Sequence, residues 1–170
     1  MALLDIVLFP DARLREPCDP VTEVTDQIRQ QLRDMAETMY DAPGIGLAAP
    51  QVGLRSRLIV VDVGSDDEPE SPRRLYQLVN PEITASEGQV DSEEGCLSIP
   101  TIRETVQRFE RISVAALDEQ GQPITIDADG LLAICLQHEI DHLNGILFID
   151  YLSKLKQQLI KSKLKKLAQR

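Results

Sequence analysis

The sequence predicts a single α+β domain, and three observations carry that prediction. Its 170 residues suit one hydrophobic core, which should bury roughly two thirds of the unfolded surface. Apolar residues recur at helical spacing both near the start of the chain and toward its end. Between those segments lie short β-branched or aliphatic runs, and strands grouped between terminal helices favour α+β over a parallel βαβ arrangement.

Each element follows in order. The opening MALLDIVLFPDARLREP has a short apolar run interrupted by Asp5 and closed by Pro10. It lacks a basic n-region and a small-residue cleavage site, so a cytoplasmic protein is expected. Residues 24–40 place Val24, Ile28, Leu32, Met35 and Met39 three and four apart, an amphipathic helix that DAPG ends. Residues 57–63 (RLIVVDV), 75–79 and 112–117 read as strands, and DEQGQP followed by ITI turns the last of these into a hairpin. The stretch GSDDEPESPR at 64–73 reads as a surface connection within the domain. Asp129 is a suitable N-cap, the apolar run from Leu131 supplies a buried helix, and Asn144-Gly145 stops it. Beyond Asp150, apolar residues at 152, 155, 159, 160, 164 and 167 with lysines between them predict a C-terminal amphipathic helix.

Composition narrows the class of protein. With 42% hydrophobic and 27% charged residues the chain is an ordinary globular protein, and no membrane partner is expected. Cys18, Cys96 and Cys135 are an odd, scattered set, which argues against a disulfide framework and fits a reducing compartment. The net charge of −10 is unevenly spread: Lys154, Lys156, Lys161, Lys163, Lys165, Lys166 and Arg170 make the last stretch strongly basic with no acid. The acidic remainder repels nucleic acid, so no DNA partner is expected, while the basic helix at 153–170 could meet RNA phosphate.

Both histidines lie in QHEIDHLNG, residues 137–145. Positions i and i+4 share a helical face, so His138 and His142 can ligate one metal ion, with Glu139 placed to act as general base on a bound water. Such a site needs a third ligand. The continuation H-x-x-G-x-x-H of one protease class has Gly145 here but Phe148 at its last position, and the class that takes a later glutamate finds none after Glu139. Cys135 is about 10 Å along the helix axis from His142 and reads as a small core residue. Cys18 in REPCDP, which reads better as structural, Cys96 in EEGCLSIP, where LSI reads as extended chain, or a carboxylate remain, and the residues alone leave that choice open.

Three segments in order, GIGLAAPQ at 44–51, EGCLS at 94–98 and HEIDH at 138–142, resemble the signature motifs of the bacterial peptide deformylase family. The similarity continues through SIPTIRETVQR and DADGLLAICLQHEIDHLNGILFIDYL and covers nearly the whole chain. The resemblance implies one catalytic domain, 1–170, with antiparallel strands packed around the HExxH helix. It implies a metal held by Cys96, His138 and His142, with Glu139 as catalytic acid and base. It also implies oxyanion donors from the Gln51 amide and the Leu97 backbone N–H, and substrate contacts at Ile45, Gly46 and Arg103. Asp141 is expected to orient its neighbours by hydrogen bonding. The implied reaction removes the formyl group from the N-terminal formylmethionine of new polypeptides, with docking to the ribosome through the basic helix as a further expectation. One thiolate and two imidazoles suit zinc, iron, nickel or cobalt. The resemblance implies ferrous iron in the cell, with zinc less active. An internal-bond metallopeptidase and a non-catalytic metal-binding or ribosome-associated protein are the rival readings.

Overall fold

In a computed structural model the structure describes residues 2–64 and 74–168. The surface connection expected at 64–73 therefore lies, past Gly64, outside the described residues. Helix α1 (Asp26–Asp41) begins where Thr25 accepts a hydrogen bond from the Ile28 N–H, two residues inside the expected start. Strands β1 (Gly46–Ala48), β2 (Leu58–Val61) and β3 (Tyr76–Glu87) follow, then β4 (Val90–Cys96) and β5 (Ile99–Arg108). The expected hairpin is β6 (Arg111–Leu117) and β7 (Pro123–Asp129), and the chain closes with α2 (Gly130–Leu143) and α3 (Lys154–Ala168).

The named strands pair antiparallel: β1-β2-β3-β6-β7 form one sheet, and β4-β5 form a separate ribbon. The large sheet is covered on both faces, which explains why β2 is an unbroken apolar run. Leu58 and Val60 pack under α1 with Leu32, Met35 and Met39, while Ile59 and Val61 pack under α2 with Leu136, Ile140 and Leu143. Fully buried side chains of this size contribute on the order of 2 kcal/mol each. A third cluster joins Leu14, Ile99, Ile102, Val106 and Phe148 to Ile160 and Leu164 of α3, so the basic helix is seated on the body by its apolar stripe.

Two local readings change. Leu97 and Ser98 form the tight turn between β4 and β5 rather than extended chain, because Cys96 already pairs with Ile99 across it. Asp129 does stand at the N-cap of α2, but its side chain makes no capping hydrogen bond. At the other end Gly145 has φ +74°, the left-handed stop that the sequence indicated.

Candidate metal centre and active site

Helix α2 runs through the middle of the molecule and is buried nearly throughout its second half, which carries His138, Glu139 and His142. The ribbon brings Cys96 against it from the turn end of β4. Sγ of Cys96 lies 3.4 Å from Nε2 of His142, and the ligand atoms of Cys96, His138 and His142 all lie within 4.8 Å of one another. Cys18 and Cys135 stay outside this cluster, so Cys96 is the cysteine that the fold delivers to the histidines. Phe148, where a third histidine would stand in one protease class, stacks on His138 at 5.9 Å and belongs to the core.

The donor set fits a single divalent ion. Nδ1 of His138 donates to Glu94 Oε1 at 3.0 Å, which leaves Nε2 as its free ligand nitrogen. Burial holds His142 well below the usual histidine range and so keeps that ring neutral. Oε1 of Glu139 is buried with no hydrogen-bond partner among the described residues, an arrangement that a missing polar occupant explains. Burial pushes the Glu139 carboxyl up to about 7.

A cavity of about 620 Å³ opens over this cluster and is lined by Ile45, Gly46, Gln51, Cys96, Leu97, Arg103 and Glu139 among others. β1 forms one edge of the large sheet beside it. Gln51 follows β1 on a short 3-10 turn, and its orientation is fixed because Oε1 accepts from the Ala48 N–H at 2.9 Å. Its Nε2 then points at Cys96 Sγ (3.4 Å) and Ser98 Oγ (3.2 Å). The Asp62 N–H donates to the Ile45 carbonyl at 2.9 Å and holds the entry to β1. Arg103 stands at the rim, well exposed and paired with Glu93 at 3.1 Å.

Sequence reasoning passed over the groups behind His138. Glu94, inside the quoted EGCLS, takes a two-pronged ion pair from Arg108 at 2.7 and 2.8 Å. Burial would raise its carboxyl, but hydrogen bonds from Arg108 and His138 outweigh that and hold it down at about 2. The opposite balance raises Arg108, whose burial is overcome by Glu94 and Asp141. Asp141 accepts from Arg108 at 2.8 Å, which gives it the orienting contact that was expected of it. A lone arginine on the inward side of a strand was the one signal available for this network. Cys135, read as core, also borders the cavity, beside Gly46.

A helical H-E-x-x-H meeting a hairpin cysteine at the floor of a cleft in an α+β domain defines a metal-dependent hydrolase. A family model described as polypeptide deformylase matches residues 3–158. The peptide deformylase of Alkalilimnicola ehrlichii is 54% identical over 167 residues, 98% of this chain and 92% of that protein. That of Pseudoalteromonas translucida is 52% identical, covering 98% and 96%. A crystal structure of a peptide deformylase from Legionella pneumophila superposes with a TM-score of 0.90 at 46% identity, over 98% of this chain and 96% of that one. One from Ehrlichia chaffeensis in complex with actinonin gives 0.92 at 43%, over 98% of each. The chain belongs to the polypeptide deformylase family.

Proposed function

We propose that this protein removes the formyl group from N-formylmethionyl ends of nascent polypeptides, releasing formate, with residues 1–170 acting as one catalytic domain. The observation that carries the site assignment is the meeting of Cys96, His138 and His142 beneath a cleft that Glu139 also lines. A divalent ion held by these three residues supplies Lewis-acid chemistry, lowering the pKa of a bound water and polarising the formyl oxygen.

The chain's own residues do the rest. Glu139, whose carboxyl burial raises to about 7, takes the proton of the attacking water and returns it to the departing amine. The Gln51 Nε2 and the Leu97 N–H donate to the oxygen on which charge develops. The substrate backbone lies along the free edge of β1 at Ile45 and Gly46, as an added strand, with Arg103 at the exit of the cleft. Seclusion of Glu139 from solvent keeps its proton for the reaction.

Ferrous iron is the metal we assign in the cell, with zinc, nickel and cobalt as substitutes that the same donors accept. The proposed location is the cytoplasm; among the described residues no helix is long and apolar enough to cross a membrane. The test is formate release from formyl-Met-Ala-Ser by anaerobically prepared, iron-loaded protein. Glu139→Ala should bind metal and release none, and Cys96→Ala should lose both. No release from folded, metal-replete protein would overturn the assignment, and cleavage of unblocked casein would favour the peptidase reading.

We further propose that α3 docks on ribosomal RNA. Deleting 153–170 would strip Ile160 and Leu164 from the core, so the cleaner test reverses the exposed Lys161, Lys163 and Lys165 to glutamate. Co-sedimentation with ribosomes at low salt should fall, and unchanged co-sedimentation would end the idea.

A further inference from the structure

The hydrogen-bonded chain that starts at His138 does not stop at Arg108. Glu94 Oε1 is shared between His138 Nδ1 (3.0 Å) and Arg108 Nη2 (2.7 Å), so any movement of the guanidinium moves the carboxylate that holds the ring. Arg108 in turn donates from Nη1 to Asp141 Oδ2 at 2.8 Å. The same Asp141 oxygen accepts from the phenol of Tyr151, also at 2.8 Å. The guanidinium carbon of Arg108 lies 5.2 Å from the centre of the Tyr151 ring, within cation–π range.

Tyr151 therefore touches Arg108 twice, through its ring face and, by way of Asp141, through its hydroxyl. The inner members are closed off from water, with side chains 3% exposed for Arg108 and 6% for Glu94, whereas Tyr151 is half exposed. It sits on the 3-10 turn Phe148–Tyr151 just before α3. That turn is itself pinned: Arg15 makes a two-pronged ion pair with Asp150, and Phe148 is buried against His138. The outermost member of the chain is thus mounted on a fixed support, which an exposed phenol on a loose loop would lack.

We infer that Tyr151 is a positioning residue of the metal centre, acting through Asp141, Arg108 and Glu94 to fix the orientation of His138. Buried partners behind a metal-bound histidine govern ring orientation and basicity, and their loss costs metal affinity. Tyr151 reaches the same ring from the surface, through three intervening side chains and with no contact to the ion. The inference rests on the metal-centre reading above but not on the identity of the substrate.

The experiment compares cobalt-loaded parent, Tyr151→Phe, Tyr151→Leu and, as a control for loss of a phenol elsewhere, Tyr76→Phe. Phenylalanine keeps the ring over Arg108 and removes the bond to Asp141; leucine removes both. The readouts are the visible absorption of the cobalt centre, the rate of cobalt transfer to EDTA, and the urea midpoint. Tyr151→Leu should release cobalt ~10-fold faster, the low end of what loss of an outer partner does, and Tyr151→Phe, which keeps the ring in place, ~3-fold faster. Both should shift the cobalt bands, and Tyr76→Phe should do neither. Unchanged bands and release in both Tyr151 variants would overturn the inference. So would faster release that only tracks a lower urea midpoint with bands unmoved, which marks a purely structural residue. A parent that takes up no cobalt would instead overturn the metal-centre reading, and this inference with it.

Discussion

Gly46 on β1 and Glu139 on α2 approach so closely that a β-carbon on the glycine would overlap Oε2 of the carboxylate, with Cys135 Sγ only 2.7 Å away. The cleft wall and the proposed catalytic carboxylate are therefore in direct contact, and glycine is the one residue that fits between them.

Gly46→Ala tests that contact. The backbone of Gly46 is an ordinary strand paired with Val61, so alanine meets no conformational obstacle and only the collisions with Glu139 and Cys135 remain. Displacing a reacting group by about 1 Å costs on the order of 100-fold in rate. Deformylation should fall by roughly that factor in kcat/KM, with metal content unchanged and Tm lowered by only a few degrees. Normal turnover would mean that Glu139 has room to retreat without consequence.

The Glu94–Arg108 pair supports a different expectation. Replacing Glu94 by Ala leaves a buried guanidinium with Asp141 as its one remaining ion-pair partner among the described residues, and breaking such a pair from one side costs about 3 kcal/mol. Urea unfolding of the metal-free protein should register that loss. The double variant Glu94→Leu, Arg108→Leu should recover part of the stability, since the stranded charge is gone, yet bind metal no better than the single variant.

Cys18, outside the ligand cluster, offers a pH experiment. Burial pushes its thiol up to about 11, with Arg57 pulling it only partly back. A raised thiol stays protonated until the solution is strongly alkaline, so at pH 8 roughly one molecule in a thousand carries the reactive thiolate, against roughly a quarter for a free cysteine. Alkylation of Cys18 by iodoacetamide, followed on the isolated peptide by mass spectrometry, should be very slow at pH 8 and rise about tenfold per pH unit toward pH 10. Rapid, pH-independent labelling would show that the Cys18 segment opens readily.

Gly145 closes α2 at φ +74°, and a β-carbon there would stand 2.5 Å from the Arg15 carbonyl oxygen. Neither the left-handed backbone nor a neighbouring main chain yields easily. Gly145→Ala should cost about 2 kcal/mol in thermal unfolding of metal-free protein. It should also weaken metal binding, because His142 lies in the turn just before it.

Much of this architecture was readable in advance, for identifiable reasons. The i, i+4 histidines needed only helical periodicity, α1 starts within two residues of where its apolar spacing put it, and α2 stops at the expected Asn144-Gly145. The hairpin of β6 and β7 announced itself through alternation and a glycine turn. The ribbon of β4 and β5 did not, because its residues are largely polar and its register slips between Glu94 and Cys96. That irregularity aims the cysteine at the helix, and no alternation of apolar and polar residues announces it. From residues alone Cys96 was one candidate among several; the motif resemblance singled it out, and the fold brings it to the histidines. The Glu94–Arg108–Asp141–Tyr151 chain was hidden for the same reason, since a charged residue in a strand looks alike whether it faces water or a buried partner.

The position of Cys96 along the chain has a consequence for how each molecule is made. Its thiol is synthesised ahead of the whole of β5, β6 and β7, and the helix bearing both imidazoles follows only after them. A growing chain therefore presents this cysteine uncovered until α2 has emerged and docked. Thiols left exposed are the ones that oxidise. Damage by peroxide should accordingly fall most heavily on molecules still under construction, leaving folded protein that can no longer take up its ion, while in finished copies the thiol is half-buried at the floor of the cleft. Vulnerability in this protein is set by the timetable of its own synthesis.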